Sequence, residues 1–248
     1  MNLVKNLAGR FFAAWAAFIF IISLFPVAIG MWLTSFEKEP YKTFAFYKIS
    51  RIWTRYLLVF FGCDLKIKGI EHFKKGENYI VISNHNSMMD ITLTTPFIGG
   101  ANKTIAKIEI SRVPLFGPIY KRGSILVDRK NKNSRTDSFN KMKAVLNLGL
   151  NMVIYPEGTR NKTAVPIKEF HDGAFRLAIE TQKPIMPTLL FNTKKAFPVD
   201  KTFYFWPTSL HLHILPPVFV GANDTVESLK EKLHLIMTEY YVSHQPLS

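Results

Sequence analysis

Between Phe11 and Leu33 the chain runs for 23 residues without a charged side chain. A surface helix of a soluble domain needs a polar face, and this stretch offers almost nothing beyond Ser23. At ~1.5 Å per residue a helix of that length reaches across the ~30 Å hydrocarbon core of a bilayer, so the segment predicts a membrane anchor. Pro26 is expected to kink it, which sets re-entrant insertion into one leaflet against a full crossing. A cleaved signal peptide, with Lys5 and Arg10 as its basic end, would carry an apolar run of only ~7 to 15 residues and then a small-residue cleavage site. The chain fits neither requirement.

Beyond the anchor, 48% of the 248 residues are hydrophobic and 21 are Phe. The mean hydropathy of +0.07 is nevertheless too low for a polytopic protein. One α/β domain with an appendage fits that length. A formal charge of +14 attracts anions, of which nucleic acid and the phospholipid surface are the commonest partners. Basic blocks, zinc fingers and aromatic RNA-binding signatures are missing, so lipid is the expected partner and nucleic acid is not. The single cysteine, Cys63, rules out an intramolecular disulfide and reads as a buried structural thiol.

A second helix follows from Ile49, Ile52, Trp53, Tyr56, Leu57 and Phe60 at helical spacing, with Lys48, Arg51 and Arg55 together on another face. That pattern predicts an interfacial helix touching the membrane, although the same stripe could pack on the protein's own core. The expected division is residues 1–62 as membrane-anchoring helices and 63–248 as the main domain. In the latter, short β-rich runs alternate with helical ones. Strands are predicted at Leu65–Lys68, Tyr79–Ser83, Thr104–Lys107, Ser124–Val127, Met152–Tyr155, Ile185–Phe191 and Leu210–Leu215, and helices at Ser87–Phe97, Arg135–Leu148, Gly173–Thr181 and Val226–Tyr241. The fold class is therefore α/β, a mostly parallel sheet flanked by helices, with an N-terminal hydrophobic two-helix membrane anchor.

Open α/β sheets bind ligands beyond the carboxyl ends of their strands, so the strand exits hold the candidate chemistry. One exit reads Asn84-His85-Asn86-Ser87-Met88-Met89-Asp90. His85 is the candidate general base, with Asp90 fixing its tautomer and stabilising the imidazolium. Alone the pair is weak, because a helix start capped by Asn84 or Ser87 looks the same. Three further blocks follow in order: Gly123-Ser124-Ile125-Leu126-Val127-Asp128-Arg129, Tyr155-Pro156-Glu157-Gly158-Thr159-Arg160 and Pro184-Ile185-Met186-Pro187. Together the four blocks, spanning roughly Ile67 to Thr188, resemble the lysophosphatidic acid and glycerolipid acyltransferase family.

The resemblance implies that His85 and Asp90 form a catalytic His-x4-Asp dyad. It implies an acceptor site containing Arg129, Glu157, Gly158, Thr159 and Arg160, with Lys107 of Ala106-Lys107-Ile108-Glu109 near an acceptor phosphate. The guanidinium fork of Arg129 or Arg160 suits a phosphate, though either could be a solvated surface residue and Arg129 could pair with Asp128. The implied reaction carries a fatty acyl group from acyl-CoA or an acyl-carrier protein, as co-substrate, to the sn-2 hydroxyl of lysophosphatidic acid, without cofactor or metal. A thioester is already activated, so the acceptor hydroxyl can attack directly, with backbone N–H groups expected to hold the oxyanion. No Gly-x-Ser-x-Gly elbow is present.

One block departs from the family: Phe170-His171-Asp172-Gly173-Ala174 stands where relatives often carry Phe-Lys-x-Gly-Ala. An acid near the acceptor would repel a phosphate, which keeps a lyso-amino-lipid acceptor of the lyso-ornithine type open. A non-enzymatic basic protein of the membrane surface is the remaining alternative. His211 and His213 share one strand face, but no acid or cysteine accompanies them as a further metal ligand. The expected location is the bacterial inner membrane with the catalytic domain on its cytoplasmic face. Charges on both flanks of the anchor, Lys5 and Arg10 before it and Lys38 and Lys42 after, leave the positive-inside rule nearly silent.

Overall fold

Seven runs of apolar and β-branched residues pair into one sheet in the structure, a computed structural model that describes residues 3–128 and 130–245. The strands are β1 (Leu65–Lys68), β2 (Ile80–Ser83), β3 (Asn102–Lys107), β4 (Ser124–Val127), β5 (Asn151–Ile154), β6 (Ile185–Phe191) and β7 (Leu210–Ile214), in the order β1-β7-β6-β2-β5-β3-β4. Strands β6, β2, β5, β3 and β4 are mutually parallel, while β7 runs antiparallel to β6 and carries β1 parallel to itself. In the register Phe191 faces His211 and His211 faces Lys66. The starts of β7 and β1 thus share one sheet edge with the ends of the five parallel strands, and β2 opens onto the middle of that edge.

Side chains of successive strand residues point to opposite faces, and the two faces bury different helices. Tyr79 and Val81 pack with Leu93 and Phe97 of α3 (Met89–Phe97). Ile80 and Ile82 face a second core built from α5 (Lys132–Asn147), α6 (Gly173–Thr181) and α8 (Val226–Ser243), where Leu146, Phe175, Leu177, Leu229 and Leu233 are nearly or fully buried. Asn131 caps α5 by accepting from the backbone of Asn133 and Ser134, and Thr225 with Ser228 forms a capping box on α8. A seven-residue helix, α4 (Phe116–Arg122), and a single turn, α7 (Thr193–Ala196), complete the domain.

The N-terminal segment is helical over Leu3–Leu33 (α1), with Pro26 inside it, and α2 spans Tyr41–Phe60. Among the described residues α1 is the one helix long and apolar enough to cross a membrane. It is not detached from the domain. A β-carbon at Gly9 would overlap the Tyr204 ring, the Gly9 carbonyl accepts from Phe205 N, and Ala13 enters the core beside Phe205. Farther along, Arg122 donates to the carbonyls of Met31 and Thr34. The opposite lane of α1 is exposed, through Phe11, Trp15, Phe18, Ile22, Phe25, Ile29 and Trp32.

The apolar stripe expected on α2 divides between two environments. Trp53 stacks on Phe20 at 5.4 Å and donates to Ser23 Oγ at 2.8 Å, and Leu57 is buried, whereas Ile52, Tyr56 and Phe60 are exposed. Arg51, expected to align with Lys48 and Arg55, instead turns inward: it donates to Tyr47 Oη at 2.8 Å and lies over the Phe97 ring. Tyr47 one turn earlier and Phe97 of α3 give that cation an aromatic, hydrogen-bonded seat that a stripe plot of one helix cannot show. Cys63 is buried, and burial pushes its thiol pKa up.

Candidate active site

The turn that leaves β2 is fixed at both ends by backbone chemistry. Asn84 continues the ladder with its side chain, since its Oδ1 accepts from Leu190 N at 2.8 Å and its Nδ2 donates to the Leu190 carbonyl at 3.0 Å. Ser87 Oγ donates to the Phe197 carbonyl at 2.8 Å and accepts from Met89 N, which starts α3. Between them, Asp90 in the first turn of α3 folds back. Its Oδ2 accepts from Asn86 N at 2.6 Å and Ser87 N at 2.7 Å, and lies 2.8 Å from His85 Nδ1. The Asp90 carboxylate is fully buried, while the His85 side chain keeps 15% exposure. A carboxylate only accepts, so Nδ1 carries hydrogen and Nε2 presents its lone pair.

The loop after β5 holds the same residue from the other side. His85 N donates to Glu157 Oε1 at 2.7 Å, and the His85 carbonyl accepts from Asn161 N at 2.6 Å. The Tyr155 ring lies 4.5 Å from the imidazole and its hydroxyl donates to Thr94 Oγ1. Burial and the Asp90 charge push the Tyr155 pKa well above its usual range, which keeps it neutral. Gly158 donates to the Tyr155 carbonyl with a φ of 68°, a turn conformation that favours glycine.

The residues expected at the acceptor therefore separate into two groups. Glu157 is 2% exposed and spends both carboxylate oxygens on backbone, at His85 N and at Lys168 N, so it fixes the backbone of His85. Gly158 shapes the same turn, and Thr159 accepts from Lys168 Nζ at 2.8 Å. Arg160, partly exposed beyond β5, and Lys107, exposed at the end of β3, make no side-chain hydrogen bond or ion pair among the described residues and remain available to an anion. Arg129 lies outside the described residues. Asp172 accepts from Lys230 Nζ at 3.0 Å, so its charge is partnered. On β7, His213 lies 3.3 Å from Tyr240 Oη and His211 lies 3.4 Å from Ser209 Oγ. Among the described residues no three His, Cys, Asp or Glu side chains gather as a metal site.

The family model described as Acyltransferase matches residues 64–190, just over half of the chain. The chain belongs to the acyltransferase family. Among its relatives, human 1-acyl-sn-glycerol-3-phosphate acyltransferase alpha is 28% identical over 198 residues, covering 78% of this chain and 69% of the human protein. The 1-acyl-sn-glycerol-3-phosphate acyltransferase of Cocos nucifera is 30% identical, covering 78% and 62%. That of Borreliella burgdorferi is 28% identical over 187 residues, covering 73% and 71%. The crystal structure of the 1-acyl-sn-glycerophosphate acyltransferase PlsC from Thermotoga maritima superposes with a TM-score of 0.83 at 18% identity, covering 98% of this chain and all of that one. The acyltransferase fold thus includes α1 and α2, which precede the matched family segment.

Glu157 gives this acyltransferase a pH signature. Burial raises its carboxyl from 4.5 to about 7, against the lowering effect of the two backbone N–H groups and of the neighbouring His85 and Lys168. The unfolded chain releases this proton near 4.5, so the folded state holds it longer. The stabilisation is complete below 4.5 and is lost as pH rises through about 7, amounting to ~3 kcal/mol at ~1.4 kcal/mol per pH unit. Glu157→Gln should flatten the pH dependence of the denaturation midpoint across this interval. A slope identical to wild type would mean that the carboxyl is charged throughout.

Proposed function

We propose that this acyltransferase moves a fatty acyl group from a thioester to the sn-2 hydroxyl of lysophosphatidic acid, forming phosphatidic acid, with His85 as general base. The observation that carries this reading is the His85 ring, held through Nδ1 by buried Asp90 at 2.8 Å at the exit of the central strand. The acceptor hydroxyl oxygen attacks the thioester carbonyl carbon while Nε2 takes its proton. Collapse of the tetrahedral species breaks the C–S bond, and the imidazolium returns the proton to the departing thiolate. Both substrates are bound together, so no acyl-enzyme forms.

Two features favour a phosphate-bearing acceptor over a lyso-amino-lipid. Arg160 and Lys107 leave the ends of β5 and β3, on one flank of β2, with no acid bound to either among the described residues. The clue against a phosphate, Asp172, is paired with Lys230. Arg129 belongs with the two cations by its place in the family motif. The test uses purified protein, labelled acyl thioester and either lysophosphatidic acid or lyso-ornithine lipid. Arg160→Ala should raise KM for lysophosphatidic acid about tenfold, as loss of one charge-assisted contact implies. Faster turnover of the amino-lipid by wild type would reverse the acceptor assignment.

The membrane reading rests on the exposed lane of α1, where Phe18 is 55% and Phe25 57% exposed although both are apolar. An apolar face of this size on a monomeric surface requires a partner, and lipid matches its uniform hydrophobicity. Because the other face of α1 is packed on the domain, charge placed on the exposed lane spares the fold. Phe18→Glu with Phe25→Glu should move the protein from the salt-resistant membrane fraction to the soluble one. Continued sedimentation after a high-salt wash would place the membrane contact elsewhere. The inner-membrane, cytoplasmic-face assignment belongs to this same reading, and protease access in sealed vesicles tests it.

A further inference from the structure

Glu157 and Asn161 hold the main chain of His85, while its ring is tied through Nδ1 to Asp90. A ring held by its stem and one hydrogen bond can still rock, and Nε2, at the far end, is displaced by that motion. What restrains it has to lie against the flat of the ring. Tyr155 takes that place. It follows β5 directly, and the register that sets Ile82 opposite Ile154 brings it beside the turn after β2. Its ring centroid lies 4.5 Å from that of the imidazole, with 34° between the planes, a separation at which aromatic rings pack in offset stacks. On its other side Tyr155 packs on the core that contains Leu93 and Phe97 of α3, so the ring is itself held.

The hydroxyl of the same side chain reaches the other member of the dyad. Tyr155 Oη lies 3.1 Å from Thr94 Oγ1, and Thr94 Oγ1 in turn donates to the Asp90 carbonyl at 2.9 Å, one turn back along α3. Thr94 has a single hydroxyl hydrogen and uses it on Asp90, so the phenol is the donor to Thr94. Thr94 is fully buried, which leaves no water to replace either bond. One tyrosine therefore meets the imidazole with its ring and the helical turn that carries Asp90 with its hydroxyl.

Resting on the reading of His85 as the base, we infer that Tyr155 is the positioning residue of the His85–Asp90 pair. Its ring sets the plane of the imidazole and faces the imidazolium that forms as the acceptor proton arrives. Its hydroxyl, through Thr94, holds the turn of α3 that presents Asp90. A cation within ~6 Å of an aromatic centroid is attracted by the ring. Positive charge appears on His85 only as the proton moves, so this attraction is stronger in the transition state than in the substrate complex, and its loss falls on kcat rather than on KM.

Tyr155→Leu should lower kcat about thirtyfold, with KM for lysophosphatidic acid and for the acyl thioester within about twofold of wild type. Tyr155→Phe keeps the ring and should recover kcat to within about threefold of wild type, the remainder being one hydrogen bond. In a Thr94→Val background, where the hydroxyl has lost its acceptor, Tyr155→Phe should cause no further loss. If Tyr155→Leu melts below the assay temperature, Tyr155→Met, whose flexible side chain fills irregular gaps, replaces it, and the phenylalanine and Thr94 comparisons need neither. Wild-type kcat in Tyr155→Leu overturns the inference, as does a phenylalanine variant no better than the leucine one. A rise in KM at unchanged kcat also overturns it, because the ring would then line a substrate instead of positioning the base. Additive losses from Tyr155→Phe and Thr94→Val remove the hydroxyl link. Failure of the base itself reads differently: turnover that survives His85→Ala removes His85, whereas turnover lost there and intact in Tyr155→Leu removes Tyr155 alone.

Discussion

His85→Ala is expected to reduce turnover by ~10²- to ~10⁴-fold, the range for loss of a positioned general base. The substitution is clean because the backbone of residue 85 performs separate work. Its N–H donates to Glu157 and its carbonyl accepts from Asn161, and both bonds survive in alanine. What disappears is the ring whose Nε2 takes the acceptor proton in the proposed mechanism, together with its contact to Tyr155. The side chain is partly exposed, so its removal leaves no sealed cavity and should cost little stability. Initial rates with lysophosphatidic acid and acyl-coenzyme A, both saturating, measure the effect. A variant within tenfold of wild type would remove His85 from the mechanism.

Much of the architecture is legible in the sequence because its strands are short runs of buried apolar residues bounded by turns. All seven predicted strands lie within one residue of the observed ends, except that β3 begins two residues earlier, at Asn102. Helix α4 was not legible. Gly117 and Pro118 weaken any helical pattern, and the helix follows Leu115, whose φ of 62° the sequence does not announce. The eight residues by which α1 precedes Phe11 were missed for another reason. Lys5 and Arg10 interrupt a charge-free run without interrupting a helix.

The site was legible where its chemistry is local and illegible where it is assembled across the chain. His85 and Asp90 are five residues apart and meet through one turn. Glu157 reaches His85 across 72 positions, and its use as a backbone clamp appears only when β2 and β5 lie side by side. Nothing in Tyr-Pro-Glu-Gly-Thr-Arg separates an inward carboxylate from an outward one. Asn84 and Ser87 could be read as helix caps, yet they tie the turn around His85 to Leu190 and Phe197.

Asp90→Asn should lower turnover about 10²-fold, by a route that the geometry narrows to one. An asparagine opposite a catalytic histidine can present its amide nitrogen to the ring and impose the wrong tautomer. Here two backbone donors, Asn86 N at 2.6 Å and Ser87 N at 2.7 Å, point at the same oxygen that meets His85 Nδ1. Turning an amide nitrogen toward them would set donor against donor in a fully buried position, so the amide oxygen stays in place and Nδ1 keeps its hydrogen. The variant loses charge instead. At an effective dielectric near 20, opposite unit charges separated by 2.8 Å attract by ~6 kcal/mol. Losing roughly half of that opposite the transient imidazolium gives ~3 kcal/mol, or ~10² in rate. The same amide leaves its NH₂ where Asp90 Oδ1 has no hydrogen-bond partner among the described residues, so a small loss of stability should accompany the loss of rate. Nitrogen-15 chemical shifts of the His85 ring distinguish the two routes. Protonated Nδ1 in both proteins supports the electrostatic account, whereas a shift of the proton to Nε2 in Asp90→Asn would show that the tautomer had switched.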